Sequence, residues 1–129
     1  MKTLVVGDLH LKQQFVLPRI DGMLAGDAEI GRVVFLGDAC DDWGANEADE
    51  LNAMEFYAKW VREHRGRGMR IDVLLGNHDF CYVRGKRGPG SIMSIMRNLR
   101  TILEDALQAK VACAVGPYLC SHAAPPAPW

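Results

Sequence analysis

The sequence predicts an α/β domain with a Rossmann-like layer, in which a parallel sheet is flanked by helices. Short apolar runs alternate with helical patterns along the chain, which is typical of repeated βαβ units. The apolar runs are continuous rather than alternating, and this favours strands covered on both faces. The length of 129 residues fits one domain of common size, so we expect a single domain over residues 1–129.

Five runs are predicted as strands because they are rich in apolar and β-branched residues. They are Thr3–Val6, Arg32–Leu36, Ile71–Leu75, Val111–Val115 and Tyr118–Cys120. The carboxyl ends of parallel strands lie at one edge of a sheet, where ligands bind. Residues that follow these strands are therefore expected to meet there.

Three helices are predicted between the strands. The first covers about 18–25 and has a proline in its first turn. The second covers about 46–66, with Asn46 as N-cap and Asp49 at the capping-box position. The third covers about 91–107, begins with a serine cap and has apolar residues at three- and four-residue spacing. The proline-rich end of the chain, 123–129, favours neither a helix nor a central strand.

Composition excludes several classes of protein. The net charge of −1 gives no general attraction to nucleic acid or to a membrane surface. The apolar run Leu4–Val6 is too short for a signal peptide, and no run could span a bilayer, so we expect a cytoplasmic protein. The four cysteines contain no Cys-x-x-Cys pair, and we interpret them as free thiols rather than zinc ligands.

Polar residues of metal-ligand type follow four of the predicted strands. The four segments are Gly7-Asp8-Leu9-His10, Gly37-Asp38, Gly76-Asn77-His78-Asp79 and Ser121-His122-Ala123. Carboxylate, imidazole and amide ligands together suit Mn, Fe, Zn or Ni better than calcium alone. One carboxylate, Asp38, could bridge two ions about 3.5–4 Å apart.

Each segment has an ordinary structural interpretation when it is taken alone. A Gly-Asp pair after a strand is usually a turn, and a single histidine such as His122 is usually satisfied by hydrogen bonds within the fold. Four such segments in order, each at the end of a predicted strand, are far less common. Their combination indicates a metal site.

This ordered set of motifs resembles the calcineurin-like metallophosphoesterase superfamily, and the resemblance covers essentially the whole chain. It implies a two-sheet sandwich flanked by helices and a site with two divalent ions, manganese first among the candidates. Asp8 and His10 would hold one ion and Asn77 and His122 the other, with Asp38 as the bridge.

The same resemblance implies how the site would act on a phosphate ester, nucleotides included. A metal-bound water would attack, and the ions would neutralise charge on the phosphoryl oxygens. His78 would donate a proton to the leaving group rather than bind metal. Either Asp41 or Asp79 would orient His78, and the sequence leaves that choice open.

Two departures from the family pattern change the expectations. Asp42 stands where the serine/threonine phosphatases carry an arginine for the substrate phosphate, which disfavours a phosphoprotein phosphatase. No histidine follows His122, although the family's last motif is G-H-x-H. We therefore expect a C-terminally incomplete domain with a partial sandwich that self-associates through its open sheet. The alternative to an enzyme is a relative with little or no turnover that acts as a binding module.

Overall fold

The computed structural model describes residues 1–123, so the end of the proline-rich segment, 124–129, lies outside the described residues. The elements follow in this order: β1 Lys2–Val6, α1 Gln13–Gly26, β2 Ile30–Phe35, α2 Glu47–Gly66, β3 Arg70–Val73, α3 Asn77–Arg84, a 3-10 turn Met93–Ile95, α4 Met96–Thr101, a π-helical turn Ile102–Ala106, β4 Ala112–Val115 and β5 Tyr118–Ser121. None of the helices in 1–123 is long and apolar enough to cross a membrane.

A parallel sheet forms the centre of the fold, as predicted. Its strand order is β1-β2-β3, and both pairs are parallel. Helices α1 and α2 pack against each other and against one face of this sheet. Phe35 of β2 makes edge-to-face contacts with Tyr57 and Trp60 of α2, at ring-centroid distances of 5.1 and 5.8 Å. The buried apolar face of α2 thus fixes the helical layer on the sheet.

The last two strands do not join this parallel sheet, contrary to the prediction. β4 and β5 pair with each other as an antiparallel hairpin, with Val115 opposite Tyr118. Only two residues connect them, and a parallel crossover needs a dozen or more. Cys113 of β4 packs against Val34 and Leu74 on the face of the sheet opposite the helices. The hairpin therefore begins a second layer, in agreement with a partial two-sheet sandwich.

A buried ion network attaches the hairpin to the sheet. The Arg32 side chain donates from Nε to Asp72 Oδ2 at 2.7 Å and from Nη1 to the Ala114 carbonyl of β4, also at 2.7 Å. Lys110, just before the hairpin, lies 2.5 Å from the other oxygen of Asp72. Burial alone would raise the pKa of Asp72, but Lys110 and Arg32 outweigh it and lower that pKa. The network ties β2, β3 and β4 together at one place.

Two predicted helices begin elsewhere, and one helix was not predicted. α1 starts at Gln13, so its proline, Pro18, lies inside the helix rather than in the first turn. The third predicted helix begins as a 3-10 turn at Met93, because the Ser91 hydroxyl accepts from the Gly88 amide instead of capping the helix. The missed helix, α3, starts within the Gly76-Asn77-His78-Asp79 motif.

Helix α2 agrees with its prediction in detail. Asn46 Oδ1 accepts from the Asp49 amide at 2.9 Å, and Asp49 accepts from the Asn46 amide at 3.0 Å. These reciprocal bonds satisfy two backbone N–H groups that the first turn leaves free. The helix ends at Gly66.

Candidate metal centre

Two loops at the carboxyl edge of the sheet touch each other through glycine backbones. Gly37 has φ +111°, and a Cβ there would lie 2.4 Å from the backbone nitrogen of Gly76. A Cβ on Gly76 would lie 2.0 Å from Oδ1 of Asp38. Neither position leaves space for a side chain, so the glycines of the two motifs are required for the loops to meet.

Asp79 joins the same two loops from within the protein. Its carboxylate is 1% exposed and accepts backbone N–H groups from Gly76 at 2.9 Å, Asp38 at 2.7 Å and Cys40 at 2.9 Å. Burial raises the pKa of Asp79 against the opposing effect of these N–H donors. The carboxylate bonds to backbone amides of both loops, and no hydrogen bond joins it to His78 in the described structure.

The loop after β1 is bound to the loop after β2. The amides of Leu9 and His10 both donate to the Asp38 carbonyl, at 3.1 and 2.9 Å. His10, Asp38 and Asp41 all have left-handed backbones, with φ of 39°, 56° and 69°. Such conformations cost roughly 1–3 kcal/mol each and persist only where surrounding contacts impose them. Here they turn the side chains of the motif residues toward a common centre.

Asp38 lies at that centre. It is 4% exposed, and its Oδ2 atom is 3.6 Å from Nε2 of His10 and 3.2 Å from Nε2 of His122. Asp8 reaches both histidines, at 3.5 Å from His10 Nε2 and 3.6 Å from His122 Nδ1. Two clusters of ligand-type atoms result, each within 4.8 Å, and both contain Asp38. They are His10, Asp38 and His78, and Asp8, Asp38 and His122.

The histidine hydrogen bonds fit a bound cation. The Nδ1 atom of His122 lies 3.2 Å from the Leu36 carbonyl, which can only accept, so Nδ1 carries the proton. In the neutral ring the bare Nε2 then faces two further acceptors, Asn77 Oδ1 at 3.1 Å and Asp38 Oδ2 at 3.2 Å. Three electron-rich atoms directed at one another are stabilised by a cation among them.

His10 repeats this arrangement on the other side of Asp38. Its Nδ1 donates to the Asp41 carbonyl at 2.8 Å, which leaves Nε2 toward Asp8 and Asp38. Burial alone would lower the pKa of His10, but the Asp41 and Cys40 carbonyls and the two carboxylates together raise it. The site therefore attracts positive charge, and its oxygen and nitrogen donors match those of divalent transition metals.

His78 is held by Asp41. Its Nδ1 lies 3.0 Å from Asp41 Oδ2, so with Nδ1 as the donor Nε2 is the free nitrogen. Asp41 is 3% exposed, and its other oxygen accepts from the Tyr82 hydroxyl at 2.5 Å. Of the two carboxylates that the sequence left open, Asp41 is the one in hydrogen-bond contact with the His78 ring.

Glu50 supports this group from α2, and sequence reasoning missed it. Its side chain is fully buried, and Oε2 accepts from the Asp41 amide at 3.0 Å. Burial, with Asp41 beside it, raises the pKa of Glu50 to about 8. The residue lies four positions before Met54 and seven before Tyr57, on the apolar face of α2. A charged residue within that apolar stripe was the signal that could have revealed it.

A cavity of about 430 Å³ opens beside these side chains. His10, Asp41 and His78 form its inner wall. Its outer wall consists of a turn after the second motif and the loop after α3, with Trp43 and Pro89 among the lining residues. The cavity gives a small molecule access to the face of His78.

The family model of the calcineurin-like phosphoesterases matches residues 1–126. The chain belongs to this family. No curated protein matches the chain.

Membership gives the general chemistry of the chain. The family supports a metal-dependent phosphoesterase, that is, a hydrolase that acts on phosphate esters. The α/β fold and the partial sandwich agree with that assignment. Of the eight predicted site residues, Asp38 and six others lie together beside the cavity, and Asp79 is bound to the backbone amides of the loops.

Proposed function

We propose that the chain hydrolyses a phosphomonoester or phosphodiester at a site that binds two divalent ions. One observation carries the proposal: Asp38 belongs to both clusters of ligand atoms. A carboxylate shared by two ligand sets is what two neighbouring ions need as a bridge. Since Asp38 is nearly buried, the bridge would be fixed before any ion binds.

The ligand sets proposed are those that the family motifs imply, and Asp8 lies near both His10 and His122. Asp8, His10 and Asp38 would hold one ion, and Asp38, Asn77 and His122 the other. Manganese is the first candidate, and iron, zinc and nickel suit the same donors. When bound, the ions would polarise the phosphoryl group and activate the attacking water.

The remaining residues would protonate the leaving group and orient the proton donor. His78 would donate a proton from Nε2 to the departing oxygen, since Nδ1 is engaged by Asp41. The Asp41 carboxylate would hold the ring in orientation and stabilise its protonated form. Tyr82 and Glu50 would in turn fix Asp41 through its side-chain oxygen and its backbone amide.

The test measures turnover and metal binding separately. Purified protein is incubated with Mn²⁺ and p-nitrophenyl phosphate or bis-p-nitrophenyl phosphate, and metal affinity is measured by titration calorimetry. Asp38→Asn is expected to lose turnover and most metal affinity because the bridge loses its charge. Asp105→Asn, an exposed substitution on the π-helical turn, is the matched control and should keep both.

The His78→Ala variant tests whether His78 acts as a general acid or as a metal ligand. The His78 ring belongs to one of the two clusters, so its geometry alone would also allow a ligand. As a general acid, its loss should lower kcat by about 10²–10⁴-fold and leave metal affinity within a few-fold. Loss of metal affinity equal to that of His10→Ala would make His78 a ligand. No turnover with any metal would contradict the enzyme and favour a binding module.

A further inference from the structure

We infer that the substrate of the proposed phosphoesterase is a phosphate ester whose leaving group is a planar aromatic, and that Trp43 is the surface on which this group stacks. The inference rests on the proposed function, because it names the substrate class of the same site. It depends on three features of the cavity: its position, its charge and its one large aromatic side chain.

The cavity is continuous with the catalytic side chains. His78 lines one wall and Trp43 lines another, so a group that leaves from the phosphate beside His78 departs into the space next to the indole. A volume of about 430 Å³ accommodates a single aromatic ring or a nucleobase rather than a protein segment. The leaving group, not the group retained on phosphate, is therefore the part that meets Trp43.

The charge of the wall disfavours a leaving group that carries a second phosphate. No lysine or arginine lines the cavity within the described part of the chain, whereas Asp41 and Asp42 both do. Lys12, which follows the first motif, is paired with Asp42 in a short ion pair. An uncharged organic leaving group fits such a wall better than a leaving group that carries a further phosphate does.

Trp43 is presented by an ordered turn although its side chain is fully exposed. Its exposure is 100%, the highest of the large hydrophobic side chains described. The Trp43 amide donates to Asp42 Oδ1 at 2.9 Å, and the Ala45 amide donates to the Asp42 carbonyl at 3.2 Å. An indole held at the mouth of a reaction cavity, with no packing partner among residues 1–123, is suited to stacking with a flat ligand.

The kinetic test compares two diesters that differ only in the leaving group, methyl phenyl phosphate and methyl trifluoroethyl phosphate. Trp43→Ala should lower kcat/KM for the phenyl ester roughly tenfold and leave that for the trifluoroethyl ester within about twofold. Trp43→Phe should retain most of the phenyl preference. Because each variant is compared on both esters, the difference in their intrinsic reactivity cancels. An equal effect of Trp43→Ala on both esters would overturn the inference while the proposed function stands.

Phe15 supplies the matched control. Its side chain is 71% exposed, and it shares with Trp43 a neighbouring groove of about 350 Å³, but it does not line the cavity with His78. Phe15→Ala should leave both kcat/KM values unchanged. A loss of the phenyl preference in Phe15→Ala equal to that in Trp43→Ala would assign the preference to general surface hydrophobicity and overturn the subsite.

A binding measurement keeps the inference testable even without turnover. The indole N–H signal of Trp43, assigned by its absence from Trp43→Phe, is followed by NMR in the presence of Zn²⁺. It should shift on addition of phenyl methylphosphonate and stay in place with methyl methylphosphonate. If no ester is hydrolysed but this selective shift occurs, the proposed function fails and the aromatic subsite stands. No shift, or equal shifts with both phosphonates, overturns the subsite.

Discussion

Replacement of Asp79 by alanine tests whether this carboxylate holds the candidate site together. Three backbone amides, those of Gly76, Asp38 and Cys40, donate to it at 2.7–2.9 Å in a nearly solvent-free environment. Alanine would leave all three N–H groups without that acceptor at the point where the two glycine loops meet. The expected effect is on folding stability as well as on the site.

The magnitude follows from the number and kind of bonds lost. A hydrogen bond to a charged group contributes roughly 1.5–3 kcal/mol, and a buried donor left unsatisfied costs a similar amount. Burial raises the pKa of Asp79 because a charged carboxylate is costly to bury, and part of the free energy gained from the hydrogen bonds offsets that cost. We therefore expect Asp79→Ala to lower the free energy of unfolding by about 3–5 kcal/mol, a large share of the 5–15 kcal/mol typical of a domain.

Asp49→Ala is a control that closely matches Asp79→Ala in chemistry and in helix position. Asp49 occupies the third position of α2, as Asp79 does in α3, and accepts from the cap residue at 3.0 Å, but its bond is exposed. Its loss should cost about 1 kcal/mol. Urea unfolding followed by circular dichroism measures both variants. If Asp79→Ala costs no more than Asp49→Ala, the bonds between the loops contribute little and the reasoning is wrong.

Three further substitutions follow from the same structure. Glu50→Gln removes a carboxyl whose pKa rises from 4.5 to about 8 on folding. The protonated carboxyl therefore contributes its full stabilisation to the native wild type below about pH 4.5, and this contribution is lost as pH rises through 8. The free energy of unfolding of the variant, measured in urea from pH 4.5 to 9, should therefore rise relative to that of wild type by a few kcal/mol. Glu55→Gln, an exposed substitution on the same helix, is the control and should show no such rise. Gly76→Ala should displace Asp38 and lower Mn²⁺ affinity at least tenfold, as measured by calorimetry. Gly22→Ala is the control: it has open space around it in α1, so it should leave the stability of the fold unchanged or raise it by up to about 1 kcal/mol. Asp72→Ala should lower the free energy of unfolding by about 3–5 kcal/mol, because it leaves the buried guanidinium of Arg32 without its carboxylate partner. A decrease in Tm of less than about 2 °C would contradict this.

The elements with strong local signals were predicted well. The apolar runs of the parallel strands and the capping box of α2 are properties of short stretches of sequence, and the structure confirms both. The last two strands were also located, but not their pairing. An apolar run indicates a buried strand without naming its neighbour, and the two-residue connection between β4 and β5 was the signal for a hairpin.

Helix starts were less predictable because tertiary contacts override local preference. α1 begins at Gln13, whose buried side chain donates to the Ala39 carbonyl at 3.0 Å, a contact that no local pattern contains. α3 was missed because its first residues were interpreted only as ligands in a loop. They also form the helical turn that Asp79 caps, so one short motif serves structure and chemistry together.

For the candidate site, the sequence predicted the residue types and their convergence but not the division of roles. Asp41 and Asp79 are both buried carboxylates near His78. Only the three-dimensional structure shows that Asp41 bonds to the imidazole whereas Asp79 bonds to backbone amides. Glu50 was missed because it carries no motif. The metal identity, the substrate, self-association and the cytoplasmic location all stay predictions.

The position of His122 connects the fold to the proposed chemistry. The other proposed ligands lie in the loops after β1 and β2 or at the start of α3, whereas His122 follows β5 of the hairpin. The hairpin reaches the sheet through Arg32 and Asp72, and β2, which carries Arg32, also runs directly into Asp38. A change in how the hairpin packs would therefore move His122 relative to Asp38, whose loop is fixed independently by Asp79. In the proposed two-ion site, the affinity of the ion bound by His122 should accordingly depend on the second layer, while the affinity of the ion bound by Asp8 and His10 should depend mainly on the loops of the parallel sheet.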